Sequence, residues 1–310
     1  MSGLSVCFPG SWDQVVADLV EGGSTANVMA GGTDLLPSIY RRQLSPRRLI
    51  SINRVKEARA IARRLDGLII ASGATLAALE EACLPPEAES MPKVAPGGIG
   101  PSVSGAPVTA WGVLSQAAGV VGSAQIRNRG TIGGNICNAS PAADTIPPLL
   151  VLNASVRIVG PEGPRKLPIS EFILGPGKTA LASGEVLREI LVPNTPPKFR
   201  ALYIKFGRLR SMDLAVVGVA VGLVLSEKRT VDDVRIAVCA ASPVPFRATT
   251  AEDVLRGSAL TGEKVTVASR LVAQETRPIT DVRASGEFRR ELTQVLVQRA
   301  INTITGGAVS

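Results

Sequence analysis

The segment Gly130-Thr131-Ile132-Gly133-Gly134-Asn135-Ile136-Cys137-Asn138-Ala139-Ser140-Pro141-Ala142-Ala143-Asp144 decides how this chain is read. Three glycines, two asparagines, a serine and an aspartate with few long apolar side chains make a poor packing element. Paired glycines let backbone N–H groups approach an anion with no Cβ in the way, and nearby Thr, Asn and Ser side chains add neutral donors. A pyrophosphate is the natural guest. A second turn of this kind, Ala30-Gly31-Gly32-Thr33-Asp34, lies near the N-terminus; taken alone it reads first as an ordinary strand-to-helix turn, which glycine pairs commonly make. Neither turn has the spacing G-x-x-x-x-G-K-[ST] or G-x-G-x-x-G, so the P-loop and the Rossmann fingerprint are both excluded.

Working outward, Ser11 is placed to cap a helix over 12–21, in which Trp12, Val15, Val16, Leu19 and Val20 share one face and Gly22-Gly23 ends the run. A strand over 27–30, the first glycine turn, a helical turn over 35–41 and a strand over 49–52 make an α/β unit. A strand over 68–71 precedes Thr75, a fair N-cap for a helix over 76–82. The Pro- and Gly-dense stretch 85–107 reads as a loop. A helical pattern follows over 111–121, and 155–159 with 165–169 reads as a hairpin. Three prolines within 193–197 mark a domain boundary. Beyond it come strands over 200–206, 215–225 and 231–240, then helices over 250–255, 263–275 and 285–304. The last has Phe288, Leu292, Val295, Leu296 and Ile301 spaced for one buried face. Strands followed by helices imply an α+β C-terminal domain.

Composition narrows the chemistry. The 310 residues include 34 Lys+Arg, 26 Asp+Glu and no histidine, a formal charge of +8. Without an imidazole there is no Ser-His-Asp or Cys-His nucleophile, no histidine-bound zinc and no histidine-linked flavin, so any chemistry is expected to come from a cofactor. The four cysteines, at 7, 83, 137 and 239, show neither iron–sulfur nor zinc spacing and read as a reduced, cytoplasmic set. The N-terminus lacks the basic and apolar regions of a secretory signal. The longest apolar run, 214–225, is 12 residues with two glycines, too short to span a bilayer as a helix. Scattered arginine pairs and only ten aromatic residues argue against nucleic acid; an acidic protein partner or a phosphate-bearing ligand suits the charge better.

The segments Ala30-Gly31-Gly32-Thr33-Asp34-Leu35-Leu36-Pro37 and Ile126-Arg127-Asn128-Arg129-Gly130-Thr131-Ile132-Gly133-Gly134-Asn135, followed by Asn138-Ala139-Ser140-Pro141-Ala142-Ala143-Asp144, resemble the FAD-binding medium subunit of molybdenum hydroxylases, the carbon monoxide dehydrogenase and xanthine dehydrogenase flavoprotein family. Tyr203-Ile204-Lys205-Phe206-Gly207-Arg208 and Met212-Asp213-Leu214-Ala215 extend the resemblance over nearly the whole chain. It implies an α+β protein: a PCMH-type, two-subdomain FAD-binding fold over 1–180 (subdomains 1–56 and 57–180), then a small antiparallel sheet plus helical bundle over 195–306. By matching position, Val28, Ala30, Gly31, Gly32, Thr33 and Asp34 line one side of the FAD pyrophosphate, and Ile126, Thr131, Gly133, Gly134, Asn135, Asn138, Ala143 and Asp144 the other. Asp144 is expected to accept from ribityl or ribose hydroxyls. Leu187 and Lys205 match positions near the flavin ring, and Tyr203 is expected to cover one ring face; a tyrosine beside a lysine on a strand also reads as an ordinary sheet position. No catalytic acid–base residue and no metal ligand is expected on this chain.

The function implied is electron transfer. Two [2Fe-2S] clusters on a small subunit and a molybdenum cofactor on a large subunit would pass electrons through this FAD to NAD+, a quinone or another carrier. Residues 198–210 are the expected surface for acceptor access. The stretch 85–107 is longer than the family pattern. The uninterrupted run from Asn135 to Asp144 disfavours the variant with an inserted [4Fe-4S] cluster. The alternative is a self-sufficient FAD-dependent oxidase or reductase on the same fold, which would need acid–base residues over the flavin.

Overall fold

Parallel strands need crossovers, and the N-terminal residues provide two. In the computed structural model, which describes residues 3–84, 102–103, 108–109, 111–209 and 212–307, Ser5–Cys7 and Ala26–Met29 flank Arg48–Ser51 in a three-stranded parallel sheet. Helix Trp12–Gly22 makes the first crossover. Ser11 Oγ accepts from the Gln14 amide at 3.3 Å, and Gly23, at φ 51°, ends the helix. Trp12, Val15 and Leu19 are buried against Ile50, Ile52 and Val55; Val20, expected beside them, is exposed. The short helix Leu35–Tyr40 lies on the second crossover.

The chain divides into two compact units. The first comprises Met1–Leu79, Ala124–Ala139 and Asn153–Pro193; the second comprises Glu80–Ser123, Ser140–Leu152 and Asn194–Ser310. Besides the parallel sheet, the first unit holds a five-stranded antiparallel sheet ordered Ile61–Arg64, Gly67–Ala71, Val186–Pro193, Ser155–Gly160 and Gly163–Pro168. The hairpin turns through Pro161-Glu162 between the paired Gly160 and Gly163. Its central strand, Val186–Pro193, is absent from the sequence expectation. A register shift between Leu187 and Glu189 interrupts the alternation of inward and outward residues by which a strand is recognised.

The second unit is built on an antiparallel sheet ordered Phe246–Arg247, Val231–Cys239, Val217–Leu225, Arg200–Phe206 and Ser102–Val103, with Val108–Thr109 also paired to Arg200–Phe206. The apolar run near 214–225 becomes the strand Val217–Leu225, buried along nearly its whole length. Among the described residues no helix is long and apolar enough to cross a membrane. Helices Thr249–Leu255, Gly262–Glu275 and Gly286–Ile304 complete the unit, and Ala251, Leu255, Val265, Val272, Leu296, Val297 and Ala300 join strand residues in one core. Of the stretch 85–107, all but 102–103 lies outside the described residues.

One predicted helix face is corrected. Leu292, Leu296 and Ile301 are buried, but Phe288 and Val295 are 44% and 46% exposed, while Arg289 is 2% exposed. The helix turns Arg289 inward because its guanidinium donates to the carbonyls of Val216 (2.7 Å) and Ala240 (2.9 Å) and to Asp281 Oδ1 (2.8 Å). Arg289→Met should cost about 2–3 kcal/mol, since charge-assisted bonds are lost and buried carbonyls lose a partner. A urea midpoint measures this, and a midpoint equal to the parent's would show that these bonds contribute nothing.

Candidate cofactor site

The first glycine turn joins strand Ala26–Met29 to helix Leu35–Tyr40. Its carbonyls start the helix, Gly32 O accepting from Leu36 N at 3.0 Å and Asp34 O from Ser38 N at 3.1 Å. The amides of Gly31, Gly32, Thr33 and Asp34 have no hydrogen-bond partner among the described residues. Gly32 sits at φ 75°, a left-handed conformation that L side chains rarely adopt. At Gly31 the demand is space: an added Cβ would lie 2.0 Å from the carbonyl oxygen of Arg129 and 2.9 Å from Gly130 Cα. The first turn therefore lies directly on the backbone that opens the second motif, so the first unit folds both turns into one place.

In the second motif the backbone amides of 132–135 bond within the protein. Thr131 caps a short helix, Ile132–Cys137, by accepting from the Gly134 amide at 3.1 Å. Ile132 N donates to Ala74 O (3.0 Å), Gly133 N to Ser72 O (2.9 Å) and Asn135 N to Thr131 O (2.9 Å). The amides of residues 132–135 are thus engaged inside the protein, unlike those of residues 31–34. Nor is the motif a poor packing element: Ile132, Gly133 and Ile136 are buried, and a Cβ on Gly133 would lie 2.5 Å from both Cβ and O of Ser72. Gly134 and Asn138 are exposed and Asn135 is half-buried. Ser72 N in turn donates to Arg188 O at 2.9 Å, which ties the motif to the strand carrying Leu187. Val28 and Ala30 are half-buried before the first turn, Ile126 is half-buried before the second, and Leu187 is buried.

Ala143, Asp144, Tyr203 and Lys205 belong to the second unit. Tyr203 Oη donates to Asp144 Oδ1 at 2.7 Å; Lys205 Nζ donates to Asp144 Oδ2 at 2.9 Å and to the Val120 carbonyl at 3.0 Å. Cys239 Sγ is 3.7 Å from the tyrosine hydroxyl. Burial raises the Asp144 pKa, with the Lys205 charge opposing it; burial and the Asp144 charge raise that of Tyr203; burial pushes the Cys239 thiol up to about 12. These groups form a neutralised polar cluster in an apolar sheet. Tyr203 is 0% exposed, with its hydroxyl bonded to Asp144. One expectation is corrected here. Residues 198–210 are not chiefly a surface: Phe199 and residues 201–205 are buried in and beside strand Arg200–Phe206, and Lys198, Arg200, Arg208 and Leu209 are the exposed ones, with 210 outside the described residues.

Two family models account for almost the whole chain: "FAD binding domain in molybdopterin dehydrogenase" over residues 2–195 and "CO dehydrogenase flavoprotein C-terminal domain" over 202–304. The carbon monoxide dehydrogenase medium chain of Hydrogenophaga pseudoflava is 31% identical, covering 95% of this chain and 94% of that one. The xanthine dehydrogenase FAD-binding subunit of Escherichia coli O157:H7 is 30% identical, covering 91% and 90%. A solved carbon monoxide dehydrogenase from Hydrogenophaga pseudoflava superposes with a TM-score of 0.86 at 30% identity, covering 98% of this chain and 97% of that one. The fold and the turns thus define an oxidoreductase flavoprotein with its FAD-binding domain on this chain. More particularly, the chain belongs to the FAD-binding medium subunits of molybdenum hydroxylases, which displaces the self-sufficient oxidase or reductase.

Proposed function

We propose that this chain is the electron-transfer subunit of a cytoplasmic heterotrimer, beside a small subunit with two [2Fe-2S] clusters and a large subunit with the molybdenum cofactor. The observation that carries the cofactor's part is the row of four unpartnered amides, Gly31 to Asp34, held by the approach of Gly31 to the Arg129 carbonyl. Consecutive free N–H groups in a glycine turn suit a pyrophosphate, so the residues present fit FAD. When bound, FAD supplies the exchange between single-electron donors such as [2Fe-2S] clusters and a two-electron acceptor, here NAD+ or a quinone.

The chain's own residues bind and orient. The amides of 31–34 hold the pyrophosphate, and Val28, Ala30 and Ile126 line it. Thr131, Gly133 and Gly134 shape the second wall, from which the Asn135 and Asn138 side chains add polar contacts. Ala143, Asp144, Leu187 and Lys205 complete the set. Asp144 retains acceptor capacity for a ribityl or ribose hydroxyl, because a carboxylate has about four lone-pair sites and Tyr203 and Lys205 use one each. We place the two domains at 1–180 and 195–306, a division supported by family matches that end at 195 and resume at 202.

The test is the absorption spectrum of the purified chain, with release and identification of its chromophore. Bands at roughly 370 and roughly 450 nm from releasable FAD are expected of an oxidised flavin. A colourless chain that takes up no added FAD overturns the proposal. Anaerobic NADH then separates the acceptors: bleaching of the bound flavin assigns NAD+, and bleaching only by a quinol assigns a quinone.

A further inference from the structure

We infer that Tyr203 is a positioning residue: its hydroxyl fixes the Asp144 carboxylate so that the opposite oxygen holds Lys205. The inference rests on the proposed function, in which Asp144 and Lys205 serve the cofactor.

The strand dictates the geometry. Tyr203 and Lys205 are two residues apart on Arg200–Phe206 and so project from the same face, where both reach one carboxylate. Their partners on strand Val217–Leu225 are Ala220 and Gly218, the smallest residues available. A Cβ on Gly218 would stand 2.4 Å from Tyr203 Oη and 2.6 Å from Cys239 Sγ. Glycine weakens the interior of a strand, and here it clears the slot for the hydroxyl. On the other edge, the Tyr203 amide donates to Gln116 Oε1 at 3.1 Å. The ring, the backbone and the hydroxyl of Tyr203 are all held, and the group that the hydroxyl holds in turn is Asp144. Lys205 is bracketed likewise, between Asp144 Oδ2 and the Val120 carbonyl. With no exposed surface, Tyr203 acts on a ligand through its neighbours, and of the groups its hydroxyl meets, Asp144 is the charged one.

Tyr203→Phe removes the hydroxyl alone. In the full-length chain, FAD titrated by quenching of its fluorescence should bind roughly fivefold to tenfold more weakly, the loss of one ordinary net hydrogen bond, because the hydroxyl acts on the ligand indirectly. The same change in an Asp144→Asn background should alter the dissociation constant by less than about twofold, because contacting residues in one network are not additive. A merely structural tyrosine would instead lower the melting temperature while leaving FAD affinity of the folded chain unchanged, or act equally in both backgrounds; either result overturns the inference. Gly218→Ala, which displaces the hydroxyl without deleting it, should reproduce the weakened binding and provides the test if Tyr203→Phe does not fold. Wild-type chain that binds no FAD overturns the proposed function and this inference together. Wild-type binding with Tyr203→Phe equally tight overturns this inference alone.

Discussion

A Gly31→Ala chain is expected to emerge from purification with less than about a tenth of the parent's FAD, by analogy with the tenfold loss that follows from 1.4 kcal/mol. The new Cβ would sit 2.0 Å from the Arg129 carbonyl oxygen, 2.8 Å from its carbon and 2.9 Å from Gly130 Cα. All three atoms are backbone, so no rotamer change relieves the clash. The first turn has to move away from the second motif, and its row of free amides moves with it. The overpacking should also cost stability, about 1–3 kcal/mol. Gly10→Ala is the control: its Cβ would meet only Gln14 Oε1, at 3.6 Å, at an exposed position outside the proposed site. Its flavin content should stay near the parent's. The ratio of flavin to protein absorbance after desalting measures both. Full flavin occupancy at unchanged affinity in Gly31→Ala would mean that this turn does not hold the cofactor.

The second large effect is expected at Lys205. Lys205→Met leaves the Asp144 carboxylate buried with only the Tyr203 hydroxyl for support, and removing one partner of a buried pair costs about 3–5 kcal/mol. The cost should depend on pH with a definite sign. Burial already raises the Asp144 pKa in the folded state. The folded chain therefore keeps a proton that the unfolded chain releases, and stability falls as pH rises through the raised value. Lys205 opposes that shift; without it the pKa rises further. The penalty should be full above the raised pKa and shrink on acidification as Asp144 becomes neutral. Urea midpoints across pH measure this, and a penalty that grows toward low pH would refute the arrangement. The double variant Lys205→Met/Asp144→Leu should recover most of the stability, because an apolar pair of similar volume commonly replaces a buried ion pair without loss.

Local signals were legible where one physical cause acts over a few residues. Ser11 and Thr75 cap their helices as their positions predict, with Gln14 N and Ala78 N as the donors. The hairpin at 155–168 follows from apolar alternation broken by a Gly-Pro-rich turn. Signals that depend on the partner surface were not legible. The strand Val186–Pro193 hides behind its own bulge. The buried face of helix Gly286–Ile304 is set by carbonyls at 216 and 240 that accept from Arg289, which no helical periodicity can reveal.

The candidate site divides in the same way. Residue types at fixed spacing determined that a glycine-turn protein without histidine binds an anion and borrows its chemistry, and the two motifs together pointed to FAD and to this family. Composition could not tell which glycine serves which need, because a missing Cβ is equally a left-handed turn, an opening for a ligand or a close approach of two backbones. Only the tertiary structure separated these: Gly32 is conformational, Gly31 and Gly133 are close approaches, and among the described residues the four consecutive amides 31–34 are unpartnered while those of 132–135 are engaged. The same holds for Asp144, Tyr203 and Lys205. Fifty-nine positions separate Asp144 from Tyr203 in the chain, yet one sheet face brings the hydroxyl and the ammonium onto a single carboxylate. Hydrogen bonding between side chains acts over a few ångströms of space, and that distance exists only once the strands have paired.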